Sequence, residues 1–152
     1  MQSRHQAKST VDAAGRLIGR ILVVDDDPHY LHVLARILKT EDLQVLCAAD
    51  AREAMQILSN QPVDVVISDM RMPECDGVHF LQQIRATNNK VPVIILTAYD
   101  EVDTYLESMS AGANGYLRKP VETEELLQTV RLCLSRLDPP GSAPPTADLD
   151  AA

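Results

Sequence analysis

Five times between Arg20 and Leu137 a short apolar run gives way to a stretch with helical spacing, and that alternation leaves the chain few folds. The runs are Ile21–Val24, Leu43–Cys47, Val63–Ser68, Val93–Thr97 and Gly115–Leu117. Short runs rich in β-branched residues read as strands buried on both faces. Between them, Leu31, Leu34 and Leu38 stand at i, i+3, i+7, and Val102, Tyr105, Leu106 and Met109 at i, i+3, i+4, i+7. Leu127, Val130 and Leu134 repeat the spacing near the end, and shorter helices are expected over Ala51–Leu58 and from Val78 through Leu81 and Ile84. Such spacing lines one face of a helix. Pro28 suits a first helical turn with Asp27 as its N-cap, and Thr123 with Glu125 marks the last helix start. Strands alternating with helices predict an α/β fold: a (βα)5, doubly wound, parallel five-stranded sheet with right-handed crossovers.

The flanks do not share this pattern. Residues 1–19 read as a polar, flexible arm, 20–137 as the folded domain, and 138–152 ("DPPGSAPPTADLDAA") as a disordered Pro/Ala-rich tail or linker. With 45% hydrophobic residues but only 3% aromatic, the core must be aliphatic. A formal net charge of -8 argues against a nucleic-acid-binding surface. No apolar run approaches the roughly 18 residues that a membrane span needs. Cys47, Cys75 and Cys133 are odd in number and widely spaced, which fits a reducing cytoplasm better than a disulfide framework.

The first apolar run ends in Asp25, Asp26 and Asp27. Carboxylates packed close raise one another's pKa. The stretch therefore calls for a metal, a basic side chain, or aspartates splayed into water. In a parallel α/β sheet, ligands sit outside the carboxyl ends of the strands at the switch in strand order. Asp25 and Asp26 lie at that end of the first strand. Asp69 ends the third, Thr97 ends the fourth and Lys119 follows the fifth, so four distant segments are expected at one rim.

The segments "VVDDD", "VVISDMRMPECDG", "ILTAY" and "GYLRKP", in that order, resemble a response-regulator receiver domain, the CheY-like family of two-component signalling. The resemblance covers Arg20 to about Leu137. It implies the flavodoxin-like strand order 2-1-3-4-5. It also implies a Mg²⁺ ion held by Asp25, Asp26, Asp69 and the backbone carbonyl of Arg71, a hard cation suited to oxygen ligands. Asp69 becomes the phosphoacceptor, as aspartate does in aspartyl-phosphate chemistry. Lys119 and Thr97 would stabilise the transferred group, Thr97 and Tyr116 would switch with it, and Arg71 and Tyr99 at the site mouth would tune its lifetime. A cis Lys119–Pro120 bond is also implied.

The implied function is a phosphoacceptor that takes its phosphoryl group from a sensor histidine kinase or phosphotransfer protein. It would switch the face of the fourth helix, fifth strand and fifth helix toward a downstream protein partner. The expectation is a signalling protein with self-phosphorylation and autodephosphorylation activity, not an ordinary enzyme. It would be cytoplasmic, contacting neither membrane nor nucleic acid through this domain. The apolar fourth and fifth helices permit a homodimer without demanding one. No DNA-binding, cyclase or phosphodiesterase module is expected after residue 137, which leaves a stand-alone receiver or a fragment of a longer regulator.

Taken singly, each residue has a plainer reading: Asp27 a cap, Gly77 close packing, Cys75 a loop filler, His29, His32 and His79 solvent-facing, Tyr116 a core tyrosine. Two other functions compete. A haloacid-dehalogenase-type phosphatase would use Asp25 and Asp27 as its D-x-D pair and Lys119 as its lysine. It wants a further acidic pair at a strand end, whereas Glu122, Glu124 and Glu125 fall on a helix. A phosphorylation-independent scaffold is disfavoured, because the acidic pair, Asp69, Thr97 and Lys119 are all present.

Overall fold

The computed structural model describes residues 10–98 and 102–135. Five strands alternate with five helices: β1 (Ile18–Val24), α1 (Pro28–Leu38), β2 (Asp42–Ala48), α2 (Ala51–Asn60), β3 (Val65–Asp69), α3 (Gly77–Ala86), β4 (Val93–Thr97), α4 (Val102–Ser110), β5 (Gly115–Arg118) and α5 (Thr123–Ser135). All strand pairs are parallel, in the order β2-β1-β3-β4-β5.

Alternation along the strands builds two cores. Ile21, Val23, Val65, Ile67, Ile94 and Leu96 face the layer containing Leu34 and Leu38 of α1 and Leu126, Val130 and Leu134 of α5. Their neighbours Leu22, Val24, Val66, Val93 and Ile95 face the layer with Ala51 and Ala54 of α2 and Phe80, Leu81 and Ile84 of α3. Side chains at successive strand positions point to opposite faces, so an unbroken apolar run serves both layers at once.

Local chemistry starts the helices where the residue types demand. Asp27 caps α1, its carboxylate accepting the His29 N–H at 2.9 Å, with Pro28 in the first turn. Asp50 caps α2 through the Glu53 N–H at 2.8 Å, while the Glu53 carboxylate turns back to the Ala49 N–H. Asp76 caps α3 through the His79 N–H.

Two features depart from the sequence expectation. The packed body begins before residue 20: Leu17 is fully buried, its N–H donates to the Glu41 carboxylate at 2.8 Å, and Val11 and Leu17 form an antiparallel bridge. Asp12 closes this turn by accepting the Ala14 and Arg16 N–H groups. Gly19 interrupts the apolar run and hides the Leu17–Ile18 start. Residues 1–9 and the expected tail 138–152 lie outside the described residues. Second, the apolar stripe of α4 faces outward. Val102 is 72% exposed and Leu106 54%, while the face turned inward carries Thr104 and Ser108, both buried. The Ser108 hydroxyl satisfies itself on the Thr104 carbonyl at 2.8 Å. The spacing marked the helix but not which face it would bury.

Candidate phosphoryl-transfer site

The strand order reverses between β1 and β3, which lie side by side with Val24 opposite Ser68. Asp25 and Asp69, the next residue on each strand, are therefore brought together at the carboxyl edge, where the switch point opens a crevice. Asp25 is held by its own N–H donating to the Ala48 carbonyl, and its Oδ1 accepts the Asp27 N–H at 2.9 Å. Asp26 is exposed beside it. One carboxylate oxygen from each of Asp25, Asp26 and Asp69 lies within 4.8 Å of the others. Three converging hard oxygens at a partly open rim fit a small divalent cation that keeps waters, as Mg²⁺ does.

Lys119 enters from the far side. Its N–H donates to the Thr97 carbonyl at 2.7 Å, carrying the β4–β5 pairing one residue past β5. Its ammonium lies 2.9 Å from both Asp25 Oδ2 and Asp69 Oδ1. Burial by itself would lower the Lys119 pKa, but the bonds to Asp25 and Asp69 outweigh it and leave the pKa raised. Burial raises the Asp69 pKa; hydrogen bonding to Lys119 opposes this, and the charges of Asp25 and Asp26 add to it. The cluster is thus held by one cation but carries more negative charge than that cation neutralises. Thr97, fully buried, closes the β4 end of the rim.

Two further residues shape the site. Gly77 opens α3, and its N–H donates to the Met70 carbonyl at 2.8 Å. An added Cβ there would stand 2.9 Å from the Asp69 carbonyl oxygen, so glycine is needed for the close approach. Tyr30, in the first turn of α1, places its ring centroid 4.4 Å from the Lys119 ammonium. The phenol oxygen accepts the Val121 N–H at 3.2 Å. The sequence reading missed Tyr30, because no motif marks it. The available signal was its position four residues before Leu34, on the same helical face.

The other expected residues fall as follows. Arg71 is exposed two residues past Asp69. Tyr99 lies outside the described residues. Tyr116 is half-buried on β5, its ring edge-on to Tyr105 of α4 at 5.2 Å and 83°. The Lys119–Pro120 bond is cis. Asp27 caps α1 outside the acidic cluster, and Glu122, Glu124 and Glu125 are exposed around the start of α5, an arrangement that does not fit the D-x-D phosphatase. His29, His32 and His79 are exposed. Burial, with the Asp76 charge adding, pushes the Cys75 thiol up and away from thiolate reactivity. Among the described residues, no helix is long and apolar enough to cross a membrane.

Residues 21–131 match the family model of the response regulator receiver domain. Response regulator MprA of Mycolicibacterium vanbaalenii is 40% identical over 124 residues, covering 82% of this chain and 54% of the relative. Regulatory protein AtoC of Escherichia coli is 37% identical over 117 residues, 77% of this chain but 25% of the relative. The chain thus spans about half the length, or less, of these relatives. Among solved structures, a response regulator receiver domain protein from Clostridium thermocellum superposes with TM-score 0.74 at 33% identity, covering 78% of this chain and 95% of that one. The beryllofluoride-activated NtrC4 receiver domain dimer gives TM-score 0.74 at 31% identity, covering 78% and 98%.

Proposed function

Since this chain belongs to the response regulator receiver domain family, we propose that it accepts a phosphoryl group on Asp69. The donor is a phosphohistidine of a sensor histidine kinase or phosphotransfer protein. One observation carries the reading: a single ammonium held 2.9 Å from two carboxylates delivered by adjacent strands, with a third carboxylate beside them.

Asp69 Oδ1 is engaged by Lys119, which leaves the other carboxylate oxygen to attack phosphorus. The new O–P bond forms as the donor's P–N bond breaks, and the electron pair leaves on the imidazole nitrogen, which takes a proton. Charge in such a transfer spreads over the equatorial oxygens, so the protein's work is positioning and charge stabilisation. Lys119 supplies one positive charge and Thr97 a hydroxyl donor. Asp25, Asp26, Asp69 and the Arg71 carbonyl would hold Mg²⁺, which when bound neutralises the acidic cluster and the incoming phosphoryl oxygens. Hydrolysis by water resets the domain, with Arg71 and Tyr99 tuning the lifetime.

The phosphoryl group brings about -1.5 to -2 charge at neutral pH. Thr97 and Lys119 are drawn to it, and Tyr116 moves inward, leaving its edge contact with Tyr105. That remodels α4, β5 and α5. Reversing a 1:99 balance takes roughly 5.5 kcal/mol. Two charge-assisted bonds at about 1.5–3 kcal/mol each approach this before the metal is counted. The output is a cytoplasmic protein contact or homodimerisation through this face, supported by the exposed α4 stripe and by the dimeric NtrC4 receiver.

The test is intact-protein mass spectrometry after acetyl phosphate and Mg²⁺, comparing wild type with Asp69→Asn. A phosphoryl adduct only on wild type is expected. Equal labelling of both proteins rejects the assignment.

A further inference from the structure

Lys119 has a third neighbour that the acidic cluster does not explain. We infer that Tyr30 is a positioning residue for phosphoryl transfer: its ring face confines the Lys119 ammonium where an incoming phosphoryl oxygen will meet it. This rests on the reading of Asp69 as phosphoacceptor.

Two contacts from one side chain carry the inference. The ring centroid stands 4.4 Å from Lys119 Nζ, within the range in which an aromatic face attracts a cation. The phenol oxygen accepts the Val121 N–H at 3.2 Å, two residues beyond the lysine. The segment that carries Lys119 is therefore tied at its own N–H to Thr97 and at Val121 to Tyr30. Tyr30 is itself seated by packing on the layer formed by α1 and α5, so the ring is a fixed reference rather than a loose surface group.

The chemistry suits the position. An ammonium has three donors, and two are spent on Asp25 and Asp69. A third carboxylate would hold the cation still but would compete for the donor that a phosphoryl oxygen needs. A ring face holds the cation without offering a strong acceptor, so the remaining donor stays available. A long, flexible lysine otherwise samples many rotamers, and their loss must be met during the reaction. Confinement beforehand lowers that cost, which is how positioning contributes to rate.

The experiment compares wild type, Tyr30→Phe and Tyr30→Leu. The rate of Asp69 labelling by acetyl phosphate is measured at saturating Mg²⁺, Mg²⁺ affinity by NMR titration, and folding by urea unfolding. Tyr30→Leu should label about 3- to 30-fold more slowly, the range a cation–ring contact can supply. Its Mg²⁺ affinity should stay within about twofold, because the carboxylates do not move. Tyr30→Phe keeps the ring face and should recover most of the wild-type rate, which a role confined to the phenol–Val121 bond would not allow. Tyr30→Leu labelling at the wild-type rate, or Tyr30→Phe as slow as Tyr30→Leu, overturns the inference. Wild type serves as the control: if it is not labelled on Asp69, the parent reading falls and takes this one with it. If Tyr30→Leu fails to fold, Tyr30→Met takes its place, slowed labelling supporting the ring and a wild-type rate excluding it.

Discussion

Gly77 and Asp69 touch backbone to backbone: a side chain at Gly77 would begin 2.9 Å from the Asp69 carbonyl oxygen and 3.2 Å from the Met70 Cα. Asp69, the proposed phosphoacceptor, and the start of α3 are thus packed to the limit, and neither obstacle is a flexible side-chain tip. Gly77→Ala should cost about 1–3 kcal/mol in urea unfolding, as overpacking does. It should also slow Asp69 labelling by roughly 10- to 100-fold, since a shift of about 1 Å at a reacting group has that effect. Unchanged labelling would mean that the loop yields without moving the carboxylate.

Metal-free stability should depend on pH through Asp69. Its folded pKa lies above the ordinary 3.8, chiefly because of burial, with Lys119 opposing and the Asp25 and Asp26 charges adding. Between the unfolded and folded values the native state binds more protons than the unfolded chain. Stability from this group is therefore full at low pH and falls as pH rises through the folded pKa. In a chelator-containing pH series, wild type should lose stability relative to Asp69→Asn across that window. Above it, the variant should be the more stable protein. Mg²⁺ should reverse the order, adding about 2.7 kcal/mol to wild type at a hundred times its dissociation constant. A wild type more stable than the variant at neutral pH without metal would contradict the balance of charges described.

Lys119→Met removes the only basic side chain paired with Asp25 and Asp69 among the described residues. Breaking a buried pair leaves uncompensated charge and costs up to about 3–5 kcal/mol, somewhat less here because the lysine is 17% exposed. The loss should be measured without metal and should shrink when Mg²⁺ is added, because the ion takes over the neutralisation. Labelling of Asp69 should stay slow even with saturating Mg²⁺, since the ammonium's donor is gone. A variant as stable as wild type in chelator would show the pair to be idle.

The α4 stripe gives a prediction that separates stability from assembly. Leu106 is 54% exposed, so Leu106→Gln should change unfolding by no more than about 0.5 kcal/mol. Sedimentation of the beryllofluoride-treated protein should nevertheless show weaker self-association than wild type, because the substitution breaks a contiguous apolar surface with Val102, Tyr105 and Met109. Identical sedimentation of the two treated proteins would remove this stripe from the proposed output surface.

By itself the sequence determined the succession of elements and named Asp25, Asp26, Asp69, Thr97 and Lys119 as the polar residues at the carboxyl ends of the strands. Period-2 and period-3.6 spacing, Asp27 before Pro28, and acidic residues at strand ends are local signals, each set within a few neighbours. Tertiary structure decided the rest. Which carboxylates Lys119 bridges depends on β1 lying beside β3, a pairing between segments far apart in the chain. Tyr30 meets that lysine only once α1 and the segment after β5 pack at one edge. Leu17 joins the core where the Glu41 carboxylate accepts its N–H and the Asp42 N–H donates to its carbonyl. The apolar stripe of α4 faces solvent while small Thr104 and Ser108 fill the inner side, the Ser108 hydroxyl donating to the Thr104 carbonyl. Spacing along a chain tells which residues share a face, but the rotation of that face toward core or water is set by non-local packing, which no local window contains.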